Sequence, residues 1–123
     1  MRDYTKIKAW ELADDLAVEI YKQTRSFPSD EKYALTSQVR RAAYSVPANI
    51  SEGAGRRTTK DFIRFLDMAM GSVNETGYFC RLAHRLDYID DSTYSSLKER
   101  VAAVSKCLAS YIRAVEKDVS AKS

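Results

Sequence analysis

The residues best suited to bind a ligand follow two closely spaced glycines. The stretch GAGRRTTK, residues 53–60, places Arg56, Arg57 and Lys60 directly after Gly53 and Gly55. Nucleotide-binding phosphate loops have a different glycine and lysine spacing and follow a β-strand, which is not expected here. We interpret the stretch as the end of one helix and the start of the next, where free N–H groups and the basic side chains could bind a phosphate of a polymer.

More basic residues project outward from the two helices that this stretch would join, and Tyr44 and Tyr78 lie among them. Arginines for phosphates and planar rings for bases are used in binding single-stranded nucleic acid. Asp67 and Glu75 interrupt the basic face, however, and a mixed charged face is commonly only solvated. The candidate nucleic-acid-binding residues are Arg40, Arg41, Arg56, Arg57, Lys60, Arg64, Arg81 and Arg85.

Catalytic chemistry has little support in the sequence. His84 is the single histidine, and its helical position falls near the apolar stripe, which favours a satisfied, partly buried side chain. No second histidine exists to form a metal site with the cysteines. We therefore predict no catalytic residue, no metal, no cofactor and no enzymatic activity.

Length, charge and composition indicate one soluble domain. The chain has 123 residues and a net charge of +3, from 20 Lys and Arg against 17 Asp and Glu, so a nucleic-acid-binding role depends on how the charges cluster. No segment resembles a signal peptide or the apolar run of about 18 residues that spans a membrane. Cys80 and Cys107 are not closely spaced, which favours reduced thiols and a cytoplasmic location.

Apolar residues recur at steps of three and four through four segments, which predicts an antiparallel up-down-up-down four-helix bundle. We place the domain at residues 1–117, with helix 1 at about 5–24, and a flexible tail at residues 118–123. The helix 2 period continues across Pro47, which removes the backbone hydrogen bond to the Ala43 carbonyl and predicts a kink. The predicted core stripes are Leu12, Ala13, Leu16 and Ile20; Leu35, Val39, Ala42, Val46 and Ile50; Phe62, Leu66, Ala69, Val73, Thr76, Cys80 and Ala83; and Tyr94, Leu97, Val101, Val104, Leu108, Tyr111 and Val115.

Helix ends are predicted from residues that favour caps. Ser29 and Ser92 are the expected N-caps of helices 2 and 4, and Thr58 with Asp61 resembles a capping box at the start of helix 3. Gly53 and Gly55 are expected to end helix 2 in the left-handed conformation.

Helix 3 has an apolar arc wider than one bundle core requires. Either the helix lies deep in its own bundle, or one edge packs on a neighbouring subunit. The candidate oligomer-interface residues are Ile63, Phe65, Met68, Met70 and Phe79.

The segments SVPANISEGAGR and DFIRFLDMAMGSVNE resemble the signature of the four-helix-bundle proteins encoded in 23S rRNA intervening sequences. The opening KAWELA and the later segment FPSDEKYALTSQVRRAA also fit. The segment after Glu75, TGYFCRLAHRLDYID, departs from the usual leucine- and glutamine-rich continuation. The resemblance implies a homopentameric ring and kinship with accessory proteins of diversity-generating retroelements, which bind nucleic acid through a basic surface. The signature positions are Pro47, Asn49, Glu52, Gly53, Gly55, Arg56, Gly71, Ser72 and Glu75.

Together these observations lead to the hypothesis of a non-enzymatic, ring-forming accessory protein that binds RNA or a ribonucleoprotein. The alternative is a scaffold ring that binds another protein, with the basic residues serving solubility. An RNase is a distant third, because no acid–base pair is visible.

Overall fold

The computed structural model of the chain describes the backbone of residues 2–122 and the side chains of residues 2–119. Four α-helices account for most of this part: α1 (Lys8–Thr24), α2 (Leu35–Ala54), α3 (Thr59–Arg85) and α4 (Asp91–Lys122). Single turns of 3-10 helix, Tyr4–Lys6 and Ser29–Glu31, precede α1 and α2. The described residues contain no β-strand. The predicted all-α four-helix fold is confirmed.

Contacts between consecutive helices run in opposite directions along the two partners. Between α2 and α3, Ser45 bonds Ser72 at 2.9 Å and Arg41 pairs with Glu75 at 3.6 Å. The same reversed order joins α3 to α4 in the pairs Phe62–Tyr111, Met70–Ser105, Gly77–Val101 and His84–Tyr94. Thr24–Arg40 shows it for α1 and α2, and Arg2, shortly before α1, bonds Ala54 at the other end of α2. Because α1 also contacts α4, the four antiparallel helices close into a bundle.

The predicted apolar stripes form the core of the bundle. Every stripe residue of α2 and α3 is buried, because steps of three and four keep the side chains on one face of a helix. In α1 the stripe is buried except for the half-buried Leu12. In α4 it is buried at Leu97, Val104 and Leu108 and half-buried at its other positions. The largest completely buried side chains are Phe62, Leu16, Ile20, Ile50, Leu66 and Leu108.

The wide apolar arc of α3 faces neighbouring helices of the same chain on both edges, although Met68 is 47% exposed. One edge faces α2, where Ser72 meets Ser45. The other faces α4, where the Ser105 hydroxyl lies 3.9 Å from the Met70 sulfur. A helix between two neighbours needs an apolar face toward each, so the width of this arc requires no second subunit.

Pro47 lies inside α2 and is buried. The helix continues past it to Ala54, as the uninterrupted apolar period predicted. The accompanying kink stays a prediction.

Gly53 does not end α2, and the predicted left-handed cap is wrong for both glycines. No glycine of the described chain has a positive φ; Gly53 is helical, and Gly55 caps α2 with φ −86° and ψ 0°. Gly53 is needed for space instead, because a Cβ there would lie 2.6 Å from the Phe65 Cβ. The left-handed residue is Asp87, φ 61°, just after α3.

Helix α2 begins later than predicted. Ser29 starts a single 3-10 turn rather than capping α2, and the α-helix begins only at Leu35. The chain bends at Ala34, whose φ of −123° and ψ of −107° are not helical. Glu31 still supports the helix start, because its carboxylate accepts the Leu35 N–H at 3.4 Å. Likewise, α1 begins at Lys8 rather than Thr5, after the first 3-10 turn.

The start of α4 also differs from the prediction. Asp90, not Ser92, caps its start, since the Asp90 carboxylate accepts the Thr93 N–H at 2.7 Å. The backbone of the predicted tail is helical as far as Lys122, whereas Ser123 lies outside the described residues. No helix in the described part of the chain combines the length and hydrophobicity of a membrane span.

Candidate nucleic-acid interface

The short connection between α2 and α3 forms an open pocket. Thr58 caps α3 by accepting the Asp61 N–H at 3.1 Å. Only this half of the predicted capping box is seen, because the Asp61 carboxylate turns to arginines instead. The pocket has a volume of about 560 Å³ and is lined by Gly55, Arg56, Arg57, Thr58, Lys60, Asp61 and Arg64.

Positive charge is concentrated in this pocket, which we call the junction pocket. Its lining contains four cationic side chains and one carboxylate, a balance of +3, which equals the net charge of the whole chain. The rest of the chain is therefore neutral on balance. A positive pocket attracts anions, and Glu52, paired with Arg56 beside the lining, offsets part of this charge.

Two of the arginines are fixed by contacts within the chain. The guanidinium groups of Arg56 and Arg64 both lie over the ring of Phe65, at 4.4 and 4.6 Å from its centroid. Arg56 also pairs with Glu52 at 2.6 Å, and Arg64 with Asp61 at 2.9 Å. These cation–π contacts and ion pairs orient both side chains and partly neutralise them.

Arg57 and Lys60 are exposed cations with no hydrogen bond or ion pair to the described residues. They carry most of the uncompensated charge of the junction pocket. The Nε of Arg56 adds a buried donor without a hydrogen-bond partner, 3.7 Å from the Asp61 carboxylate. This set of donors suits a phosphate group.

The other predicted cations lie elsewhere and make different contacts. Arg40 donates to the Thr24 hydroxyl at 2.8 Å and lies over the Tyr21 ring, which ties α2 to α1. Arg41 lies toward α3 instead, paired with Glu75. Arg81 and Arg85 are near the far end of α3; at about 1.5 Å per residue, Arg85 is roughly 37 Å from Lys60. The eight cations do not form one site.

The signature residues meet mainly where α2 packs against α3. Asn49 donates to the Ser45 carbonyl at 2.9 Å and to the Ser45 hydroxyl, which bonds Ser72. Gly53 and Glu52 contact Phe65 and Arg56 respectively. Part of the signature, at Asn49, Gly53 and Ser72, thus encodes the close approach of two helices.

Of the five predicted interface residues, only Met68 is well exposed, at 47%. Phe65 is buried beneath two guanidinium groups. The other three are half-buried, and two of them pack on the core: Ile63, Met70 and Phe79. Near Met68, Gly71 faces open space, with no atom within 4 Å of the position of a Cβ.

His84 lies at the opposite end of α3 from the junction pocket. Its ring stacks on Tyr94 with centroids 4.4 Å apart, and its Nε2 lies 2.7 Å from an Asp91 carboxylate oxygen. It is half-buried, as the sequence indicated.

Sequence reasoning missed the contribution of the N-terminal residues to the junction. The Arg2 guanidinium donates to the Thr59 hydroxyl at 2.8 Å and lies 4.3 Å from the centroid of the Phe62 ring. Beside it is a second cavity of about 390 Å³, lined by Arg2, Asp3, Tyr4, Ser51 and Gly55. No spacing could reveal this cavity, because its residues come from distant parts of the chain.

A family model for 23S rRNA-intervening sequence proteins matches residues 5–110. The chain belongs to the 23S rRNA-intervening sequence protein family. The match includes the junction pocket and the α2–α3 contact, but it begins after Arg2, Asp3 and Tyr4.

A solved structure supports the placement of this intervening-sequence protein. The chain is similar to a protein of unknown function from the S23 ribosomal protein family of Bacteroides thetaiotaomicron VPI-5482, with a TM-score of 0.76 and 29% sequence identity. The similarity covers 85% of this chain and 97% of the other. No curated protein matches the sequence significantly.

Proposed function

We propose that this family member is a non-enzymatic accessory protein that binds RNA through the junction pocket. The main support is that the lining of one pocket carries a charge equal to the net charge of the chain. Electrostatic attraction to phosphates supplies most of the sequence-independent part of nucleic-acid binding. Phosphate contacts position a strand without reading its sequence, so we expect weak sequence preference. The two free cysteines are consistent with action in the cytoplasm.

We propose that the protein acts as a homo-oligomer, and that the oligomer is the pentameric ring implied by the resemblance. One subunit offers few phosphate contacts, whereas several pockets on one RNA would bind it through their effective concentration. The exposed apolar side chains Tyr44, Met68 and Tyr78, together with the open position at Gly71, give the outer face of α2 and α3 a surface for a second copy.

The scaffold alternative has its own support in the arginine contacts. Arg40, Arg41, Arg56 and Arg64 are each bonded within the chain. Cations committed to such contacts serve the fold and contribute less to a ligand. Direct binding therefore depends on the two free cations, Arg57 and Lys60.

A double charge reversal tests the proposed function. Arg57→Glu/Lys60→Glu should weaken binding of a fluorescein-labelled single-stranded RNA at least tenfold in an anisotropy titration, because two phosphate contacts become repulsive. The matched control is Lys98→Glu/Arg100→Glu, which changes the charge equally at exposed positions of α4 and should bind as the unmodified protein does. Equal affinity of both variants would overturn RNA binding by this pocket and favour the scaffold.

Light scattering tests the oligomer separately. The unmodified protein should have the mass of a pentamer, and Gly71→Lys should reduce that mass by placing a charged chain on the proposed subunit contact. A monomeric mass for the unmodified protein at micromolar concentration would overturn the ring.

A further inference from the structure

Gly55 is a glycine that the fold itself does not require. Its φ of −86° and ψ of 0° lie at negative φ, in a region that L-residues also adopt. A Cβ there would meet only the Glu52 carbonyl oxygen, at 3.7 Å, which is ordinary contact. Glycine also allows another molecule to approach the backbone closely. Because neither backbone conformation nor packing within the chain requires a glycine at residue 55, close approach of a ligand is the remaining role for Gly55.

Two cavities of different chemistry share Gly55 as part of their walls. On one side is the cationic junction pocket of about 560 Å³. On the other side is the second cavity, of about 390 Å³, which we call the N-terminal pocket. A side chain at residue 55 would stand at the boundary between them. Both volumes are within the usual range for sites that hold small molecules, about 300–1,000 Å³.

The N-terminal pocket offers groups suited to a base rather than to a phosphate. Tyr4 is exposed, and its ring is held by an edge contact with Trp10, whose centroid lies 5.0 Å away. Asp3 supplies a carboxylate whose pKa is lowered by hydrogen bonds from the Thr5 hydroxyl and N–H, so it is ionised at neutral pH. Ser51 adds a hydroxyl. A stacking ring beside hydrogen-bonding groups is how proteins hold an unpaired base.

The Arg2 side chain makes the N-terminal pocket less basic than its lining residues suggest. Its guanidinium is directed to the Thr59 hydroxyl and the Phe62 ring. The Asp3 carboxylate remains as the charged group of this pocket, and it would repel a phosphate. The two pockets therefore differ in the part of a nucleotide that each one fits.

We propose that the two pockets form one groove across Gly55 that binds a single-stranded RNA segment, with its phosphates in the junction pocket and an adjacent base on Tyr4. This inference rests on the proposed RNA binding and deepens it. The base must be unpaired, because a base within a duplex has no free face for Tyr4.

A side chain placed at the boundary tests the groove directly. Gly55→Leu should weaken binding of a fluorescein-labelled oligouridylate of about a dozen nucleotides at least tenfold. Its melting temperature should be unchanged or higher, because the backbone there accepts leucine and the glycine was costly in the unfolded chain. The matched control, Ala102→Leu, adds a larger apolar side chain to the exposed face of α4 and should not affect affinity.

An abasic strand of the same length separates the two halves of the groove. Tyr4→Ala should weaken oligouridylate binding at least fivefold but leave abasic-strand binding unchanged, and Tyr4→Phe should retain binding of both. Equal losses for both strands with Tyr4→Ala, or loss of oligouridylate binding with Tyr4→Phe, would overturn the stacking role.

The outcomes distinguish this groove from the proposed function. If Arg57→Glu/Lys60→Glu abolishes RNA binding while Gly55→Leu binds normally, the groove is wrong and RNA binding by the junction pocket stands. If neither variant changes the affinity, both proposals are wrong.

Discussion

At the scale of residues, Gly53 sets how closely α2 and α3 approach. Its missing side chain leaves room for the Cβ of Phe65, which would otherwise be 2.6 Å from the added carbon. Neither atom can rotate away, because each is attached directly to its backbone. An added methyl group must therefore move one helix relative to the other.

Gly53→Ala should destabilise the protein by about 1–3 kcal/mol, the usual cost of overpacking, despite the better helix propensity of alanine. Gly55→Ala is the control and should leave stability unchanged or increase it, because its Cβ meets no close atom. Urea unfolding followed by circular dichroism gives both values. Equal stability of the two variants would contradict the packing role of Gly53.

The two cysteines should differ in reactivity with a thiol reagent. Cys80 is 3% exposed, and burial raises the pKa of its thiol to about 12, so the reactive thiolate is scarce at neutral pH. Cys107 is half-buried on α4. We expect one thiol to be titrated by Ellman's reagent in the native protein, at Cys107, and the second only after unfolding in guanidinium. Rapid native labelling of a Cys107→Ser variant would contradict this assignment.

Single residues also show where sequence patterns stop being informative. The sequence correctly indicated that Thr58 caps α3, because Thr58 followed by Asp61 resembles a capping box ahead of an apolar period. It did not indicate that Gly53 is a spacer, since a glycine near a helix end fits a cap and a close contact equally well. Only the position of Phe65 in space distinguishes these roles.

At the scale of elements, all four helices and their buried faces were predictable from the apolar period. Their ends were less so, because several residues compete to cap each helix. In α4, Asp90 accepts the Thr93 N–H and starts the helix ahead of Ser92. At α2, a 3-10 turn at Ser29–Glu31 and a bend at Ala34 come first. Such turns depend on tertiary packing, and a local sequence pattern carries no information about which residues pack against the turn.

Asp90→Ala should therefore lower the melting temperature, whereas Ser92→Ala should have little effect. Hydrogen bonds from Thr93 lower the pKa of the Asp90 carboxyl, so the folded state favours its ionised form. This stabilisation is present above the ordinary aspartate pKa of about 3.9 and is lost as the pH falls through the lower folded value. Thermal melts at neutral and acidic pH test it: the difference between Asp90→Ala and the unmodified protein should shrink in acid. A larger effect of Ser92→Ala would restore Ser92 as the cap.

At the scale of the whole molecule, the candidate site depends on charges that the sequence could count but not locate. The net charge of +3 is modest, and the sequence could name eight candidate cations but not their distances from one another. The structure divides them among the α1–α2 contact, the α2–α3 contact, the junction and the far end of α3. Helical projection gives the direction of a side chain, but neither its ion-pair partner nor its distance from other cations.

The salt dependence of RNA binding should show how many of these charges contact phosphates. Each phosphate neutralised on a single strand contributes about 0.7 to the slope of log affinity against log salt concentration. Arg57→Glu/Lys60→Glu should reduce the slope by about 1.4 for each bound subunit, since two contacts are lost. Lys98→Glu/Arg100→Glu has the same net charge and should keep the full slope, because those positions lie away from the junction pocket. Titrations at several salt concentrations measure all three slopes.

Equal reductions in both variants would mean that net charge alone attracts the RNA. A reduction confined to the Arg57 and Lys60 variant would assign the contacts to the junction pocket, because only local contacts can depend on where the charge is placed.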